Sequence, residues 1–286
     1  MGKPTLLIAC MTCLKKFKEH LPEIPVESLY EFIDTSQISG GCNTDDYSIF
    51  NPCTARDMQA TRQAVVNIAQ DMGAKLHPLE ENEAYAKCCG YGGHGEIADP
   101  GYLDFVAKKR ISDKSLDGQF PYITYCINCR DVFKARGKNA VHILELIYGM
   151  GNDKIPTITQ RWENRLDLKE TLLSLYWDEG MKKEDKMFGL TLQMSEEIKD
   201  KLNSKKIFEH EIAEVVEFCH RTGRTIENTQ TGTLTGYKKV GRMTYWVEYR
   251  VADEQKEIFE VVNAYSHRLE IELEAVWNGV RKATEM

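Results

Sequence analysis

Ile123-Thr124-Tyr125-Cys126-Ile127-Asn128-Cys129-Arg130-Asp131-Val132-Phe133 is the stretch from which the fold can be read. A short aromatic and β-branched run, Tyr122–Tyr125, leads into Cys-x-x-Cys, and a Phe stands four residues after the second cysteine. Such runs favour strands, and the apolar spacing that follows favours a helix. The same order occurs near the start of the chain as Leu7-Ile8-Ala9-Cys10-Met11-Thr12-Cys13-Leu14-Lys15-Lys16-Phe17. Each copy is followed by a Val-containing segment ending in a short apolar helix, Val26–Ile33 and Val141–Ile147. One structural unit is therefore expected to end near residue 35 and a second near 148, the first being a half-repeat.

Working outward, residues 1–150 alternate short apolar runs (Thr5–Ala9, Tyr47–Phe50, Tyr122–Tyr125) with helix-period stretches (Ala55–Met72, Tyr102–Ser112, Val141–Tyr148). Strands alternating with helices predict an α/β, cysteine-rich N-terminal domain with a parallel-type sheet. Within it, residues 1–35 form the half-repeat and 45–150 the complete unit. Gly149-Met150-Gly151-Asn152-Asp153 interrupts the pattern. Residues 156–186 read as a linker helix and loop, with Trp162, Leu166, Leu168, Leu172, Leu173 and Leu175 at helical spacing. Residues 187–286 read as a smaller α+β C-terminal domain. Its expected helices are Ser195–Leu202, His210–Thr222 and a final one over Leu269–Lys282. Its expected strands are Thr233–Tyr237, Met243–Val251 and Ile258–Ala264.

The 286 residues carry a formal charge of −7. That balance argues against a nucleic-acid partner, which would need a basic stripe to neutralise phosphates. No apolar run approaches the roughly 20 residues that span a bilayer. Only four residues precede the first apolar run, Thr5–Ala9, too few for a signal peptide. A cytoplasmic chain is the resulting expectation. No Gly-rich phosphate loop is present, so no nucleotide or flavin is expected in this chain.

Eight of the nine cysteines fall in the first 130 residues: Cys10, Cys13, Cys42, Cys53, Cys88, Cys89, Cys126 and Cys129. A secreted disulfide scaffold would be short and cysteine-dense throughout. In a reducing compartment, clustered thiols serve metal ligation or redox chemistry, with buried structural thiols as the plainer alternative. The adjacent pair Cys88-Cys89 favours a cluster, because two neighbouring thiolates can both ligate a multi-metal centre. Cys219 is expected to be a buried apolar residue.

Thirty-four residues separate Cys53 from Cys88-Cys89-Gly90, and 36 separate Cys89 from Cys126-Ile127-Asn128-Cys129. This pattern resembles the cysteine-rich CCG domain of the heterodisulfide reductase B-subunit family, found also in subunits of glycolate and lactate oxidases and benzoyl-CoA reductase complexes. The resemblance continues through Tyr91-Gly92-Gly93 and Val141-His142-Ile143-Leu144. It implies that Cys53, Cys88, Cys89, Cys126 and Cys129 bind a 4Fe–4S cluster, in that family of an unusual non-cubane form, or in some copies zinc. The residue chemistry points the same way. Several irons need soft thiolates from separate backbone segments held at stiff strand ends. Cys53 and Cys126 both follow expected strands, at the edge of a parallel sheet where ligands collect. Gly90, Gly92, Gly93 and Gly95 let backbone approach the sulfurs, or else form an ordinary turn. His94 reads as a ligand, a donor behind the ligands, or an exposed loop histidine.

Three readings are open for Cys10, Cys13 and Cys42. A partner chain carrying the missing half-domain completes a second cluster; the three bind a smaller centre such as zinc; or they are vestigial thiols. Arg161-Trp162-Glu163-Asn164-Arg165 and the segments Val240–Tyr249 and Asn263–Arg268 resemble the corresponding parts of larger flavin-linked, dicluster-binding proteins. His267 and Arg268 are expected to form a polar corner, or an anion site. The function expected is an iron–sulfur electron-transfer subunit of a larger oxidoreductase complex, with a flavoprotein or ferredoxin-type subunit as partner. The alternatives are a catalytic disulfide-reducing subunit and a structural zinc scaffold.

Overall fold

A computed structural model describes residues 4–38, 45–79, 85–99, 101–112, 119–150, 154–177 and 189–268. The chain divides into two units, 1–155 and 156–286. The elements of the first unit begin with β1 (Leu6–Ile8), α1 (Met11–His20) and β2 (Val26–Ser28). These are followed by β3 (Asp46–Ile49), α2 (Gln59–Asp71), β4 (Lys75–Leu76), α3 (Gly93–Ala98) and α4 (Tyr102–Ser112). The unit closes with β5 (Tyr122–Thr124), α5 (Ile127–Lys134), β6 (Ala140–His142) and α6 (Ile143–Tyr148).

The two copies of the repeat take the same course. In each a strand ends, a cysteine in extended conformation caps a helix, and a second strand returns parallel to the first. β1 pairs β2 through Leu6↔Val26, and β5 pairs β6 through Tyr122↔Ala140. The second pair belongs to a four-stranded parallel sheet ordered β4-β3-β5-β6. Both copies share a core, in which Met11, Leu14 and Val26 from the first join Ile123, Ile143 and Ile147 from the second. Tyr30 and Tyr125 meet edge to face there, ring centroids 5.6 Å apart. Val65, Ile68 and Ala69 of α2 pack into the same core, as the 3.6-residue period of that stretch requires.

Two of the boundaries that differ from the sequence expectation lie in this unit around the cysteine-bearing segments. α2 begins at Gln59 rather than Ala55, because Cys53–Ala55 forms a separate one-turn helix after Pro52. The stretch from Val141 divides into β6 and α6, since His142 N–H is bonded to Glu145 and its ring caps the helix by accepting from Leu144 N–H.

The second unit contains α7 (Ile158–Trp177), β7 (Thr191–Gln193), α8 (Glu196–Lys205) and α9 (Glu209–Thr222). Four further strands are β8 (Thr225–Asn228), β9 (Thr233–Val240), β10 (Met243–Asp253) and β11 (Ile258–His267). The sheet order is β7-β11-β10-β9-β8, antiparallel except for β7 against β11. Alternate residues Tyr245, Val247 and Tyr249 of β10 join Ile212, Val215 and Val216 of α9 in its core. The start of α7 docks onto the same unit, with Trp162 stacked on His210 at 4.0 Å and Ile158 N–H bonded to Asn203. Further along, its apolar stripe is wider than the surface it covers: Leu168, Leu172 and Leu175 are exposed. The expected helix over 269–282 lies outside the described residues.

Cys219 is buried on α9, and its sulfur would stand 2.4 Å from a Cβ added at Gly236. Only glycine lets β9 approach the helix so closely. Gly236→Val is expected to destabilise this unit by about 2 kcal/mol through overpacking, measured by urea denaturation. A Gly236→Ala variant is expected to recover most of its loss when Cys219→Ala is added.

Candidate functional site

Three backbone segments bring five cysteines together at one edge of the parallel sheet. Cys53 follows β3 and Cys126 follows β5, and these strands are neighbours through Ser48↔Tyr122 and Ile49↔Ile123. Both cysteines therefore leave the C-terminal ends of adjacent parallel strands, where a crevice forms naturally. Cys88 and Cys89 arrive on the loop before α3.

The sulfurs form a run of neighbours. Cys129 donates to Cys89, while Cys53 and Cys89 each act on the ionisation of Cys88, and Cys129 on that of Cys126. The Cys129–Cys89 sulfur separation is 3.3 Å, and Gly90 N–H reaches Cys88 Sγ at 3.3 Å. Among the described residues, no three or more His, Cys, Asp or Glu side chains surround a single point as one metal ion would require. The arrangement is an extended array of soft donors, not a one-ion cage.

Burial divides this array. Cys89 and Cys129 are each 3 % exposed, within a cluster that includes Phe50, Tyr122 and Phe133, whereas Cys53, Cys88 and Cys126 are half-buried. The ionisation pattern follows from who donates to whom. Donation from Cys53, then from Cys89, holds Cys88 as a thiolate down to about 2, against the opposing cost of burial. Cys126 falls to about 6, because Cys129 donates to it and the N–H groups of Cys129 and Asn128 face it. No sulfur closes a capping bond of ordinary geometry, but the helix start still favours negative charge at Cys126. Cys89 is pulled down by Cys129, yet its own donation to Cys88 and its burial prevail and raise it to about 12. Cys53 and Cys129 are raised, each chiefly by donating to a neighbouring sulfur.

Cations hold the loops that carry the sulfurs. Arg56 Nε donates to Ala86 O at 2.8 Å, and its charge favours the Cys88 thiolate. Arg110 Nε donates to Cys88 O at 3.2 Å, and Arg62 holds Ala55 O at 2.9 Å, bracing the turn of Cys53. Two of the glycines are structural requirements. Gly90 has φ +97° and its missing Cβ would touch Val106, while a Cβ on Gly95 would stand 2.7 Å from the Tyr102 ring. The side chain of His94 lies outside the described residues. Arg56 and Arg110 were not legible as part of a site, because only spatial closeness to the sulfur-bearing loops gives them that role.

His142 sits behind α5. Burial, with the nearby Arg130 charge, lowers it to about 4. Arg130 pairs with Glu145 at 2.6 Å and Asp131 at 2.9 Å, all inside the unit. Because the unfolded value is near 6.5, this neutral histidine contributes stability above pH 6.5 that is lost as pH falls toward 4. The expected loss in metal-free protein is about 3 kcal/mol, at 1.36 kcal/mol per pKa unit. Urea denaturation at pH 7.5 and 4.5 measures it, and His142→Asn, which can still cap α6, should flatten that dependence.

The remaining sequence candidates lie elsewhere. Cys10 and Cys13 are exposed at the start of α1, and Cys42 lies outside the described residues. His267 accepts a hydrogen bond from Trp246 Nε1 at 2.9 Å, tying the end of β11 to β10. A cavity of about 460 Å³, lined by Asn51, Arg62, Val66, His77 and Leu79 among others, opens beside β3 and α2. None of the five cysteines lines it. No helix among the described residues is long and apolar enough to cross a membrane. A scan against protein-family models finds no match to this chain, and a search of curated proteins finds none.

Proposed function

We propose that Cys53, Cys88, Cys89, Cys126 and Cys129 hold an iron–sulfur cluster, and that the chain carries electrons as a subunit of a larger oxidoreductase. What supports this most is the meeting of five soft donors from three segments at one sheet edge. Thiolates of that kind suit iron and inorganic sulfide. Arg56 offsets part of their negative charge. A cluster there would supply one-electron transfer, with a flavoprotein or ferredoxin-type partner as donor or acceptor. The resemblance to the CCG domain of the heterodisulfide reductase B-subunit family belongs to the same proposal.

The half-buried state of Cys53, Cys88 and Cys126 favours a second reading, in which substrate reaches the cluster and is reduced there. A structural zinc site is the weakest, because four donors about one point are not found among the described residues. Anaerobic purification with iron, sulfide and zinc analysis tests the proposal. Iron and sulfide in near-equal amounts, with broad absorbance near 400 nm, are expected. Zinc alone, or thiols fully titratable in metal-free protein after iron and sulfide reconstitution, would overturn it. Reoxidation of the reduced protein by a disulfide would select the second reading.

A further inference from the structure

The cavity beside β3 and α2 lies in the same unit as the cysteine array, and none of the five sulfurs lines it. One wall is apolar: Ile49 closes β3, and Leu76, the last residue of β4, leads on to Leu79. β3 and β4 are neighbouring parallel strands, paired through Tyr47↔Leu76. The cavity therefore occupies the crevice beyond strand C-termini, where ligands of α/β sheets settle. Another wall is α2, which contributes Gln59, Arg62 and Gln70 with Val66 between them. The volume, about 460 Å³, is that of a small-molecule site.

Among the described residues, no Asp or Glu lines this cavity. Asn51 is 5 % exposed, and its Oδ1 accepts from the buried Tyr125 hydroxyl at 2.8 Å, which fixes the amide in the wall. His77 is engaged with Asp46 at 2.7 Å and stacks on Phe120 at 3.8 Å. Arg62 is placed differently. Among the described residues its hydrogen bonds leave from Nη1 alone, to Ala55 O at 2.9 Å and to Arg56 O. The Nε–Nη2 edge of the guanidinium, a fork that matches a carboxylate, takes no part in them. α2 begins beside it, with Met58 supplying no side-chain cap, so the helix start also favours negative charge there.

We propose that this cavity binds a small organic acid, its carboxylate taken by the Nε–Nη2 edge of Arg62 and its hydrocarbon by Ile49, Val66, Leu76 and Leu79. Inorganic phosphate would satisfy the arginine and leave those four side chains uncovered. An uncharged hydrocarbon would cover them and leave the guanidinium unanswered. Two hydrogen bonds tie the cavity to the cysteine-bearing segments. Arg62 holds the turn that carries Cys53, and Tyr125, bonded to Asn51, directly precedes Cys126. The site itself uses no metal, so it goes beyond the proposed electron carrier and can be tested whether or not iron is bound.

The test titrates the full chain with straight-chain monocarboxylates from acetate to octanoate, by isothermal titration calorimetry. Affinity should rise about fourfold per methylene until the cavity is full. Hexanamide should bind about tenfold more weakly than hexanoate, the equivalent of one hydrogen bond to a charged group. Arg62→Gln should cost hexanoate a similar factor. Because Arg62 also braces the Cys53 turn, Gln59→Glu is the second variant: it is exposed, suits the first turn of a helix, and should weaken hexanoate about threefold through like charge with the fold intact. Amide hydrogen exchange in residues 59–70 and 76–79 should slow when hexanoate binds. Three results would overturn the proposal. They are no saturable binding by any of the acids, hexanoate bound no better than acetate, phosphate or hexanamide, and exchange slowed elsewhere but not in these two segments.

Discussion

Cys53→Ser and Cys89→Ser are each expected to remove most of the iron from the purified chain and to destabilise residues 1–150. The two positions reach the array by different routes, one from the end of β3 and one from the Cys88-Cys89 loop. A serine oxygen is a harder and far less acidic donor than a thiolate, so the site loses affinity for iron at once. Whatever binds only the folded chain stabilises it, by about 2.7 kcal/mol at a hundredfold excess over the dissociation constant. Losing that term should lower the melting temperature of the unit by roughly 5–10 °C. Cys219→Ser is the control: buried on α9 in the other unit, it should cost stability there and leave iron content unchanged. Iron by colorimetric assay and melting by circular dichroism decide the matter. Full iron and unchanged melting in both variants would contradict the proposed site.

The second large effect is expected from Phe133→Ala, at about 3–5 kcal/mol. Phe133 is fully buried on α5, edge to face with Phe50 at 4.7 Å and with Tyr122 at 5.2 Å. Removing the ring leaves a cavity in the cluster that contains Cys89 and Cys129. The array should therefore loosen along with the core, and reconstituted iron should fall with stability. Phe133→Leu keeps most of the volume and should cost less than half as much. Urea denaturation of all three chains, with iron measured in parallel, checks both statements. A loss below about 1 kcal/mol for the alanine variant would show that the core does not hold α5 in place.

The parts of the fold legible in the sequence were those with a strong period or a repeated motif. β5 and α5 announce themselves through Tyr122–Phe133, and α4 occupies the stretch expected for it, Tyr102–Ser112. Short or polar elements were not legible. β8 reads Thr225-Ile226-Glu227-Asn228, mostly exposed, and becomes a strand only because β9 offers it an edge. β7 is likewise a three-residue strand held by β11. α3 opens on Gly93 and has weak intrinsic propensity, so tertiary context decides it. In the site, the five cysteines were visible as residue types at meaningful spacing. Their partners were not, because an arginine on a carbonyl leaves no pattern along the chain.

The division of the array between an apolar wall and an open rim bears on how it could be filled. Cys89 and Cys129 are fixed by the aromatic side chains packed around them. If the array holds the proposed cluster, iron and sulfide would reach it from the side of Cys53, Cys88 and Cys126, the half-buried members. On the proposed function, the apolar wall around Cys89 and Cys129 would let the unit hold its shape through aromatic packing, where a small zinc finger gains its shape only on metallation.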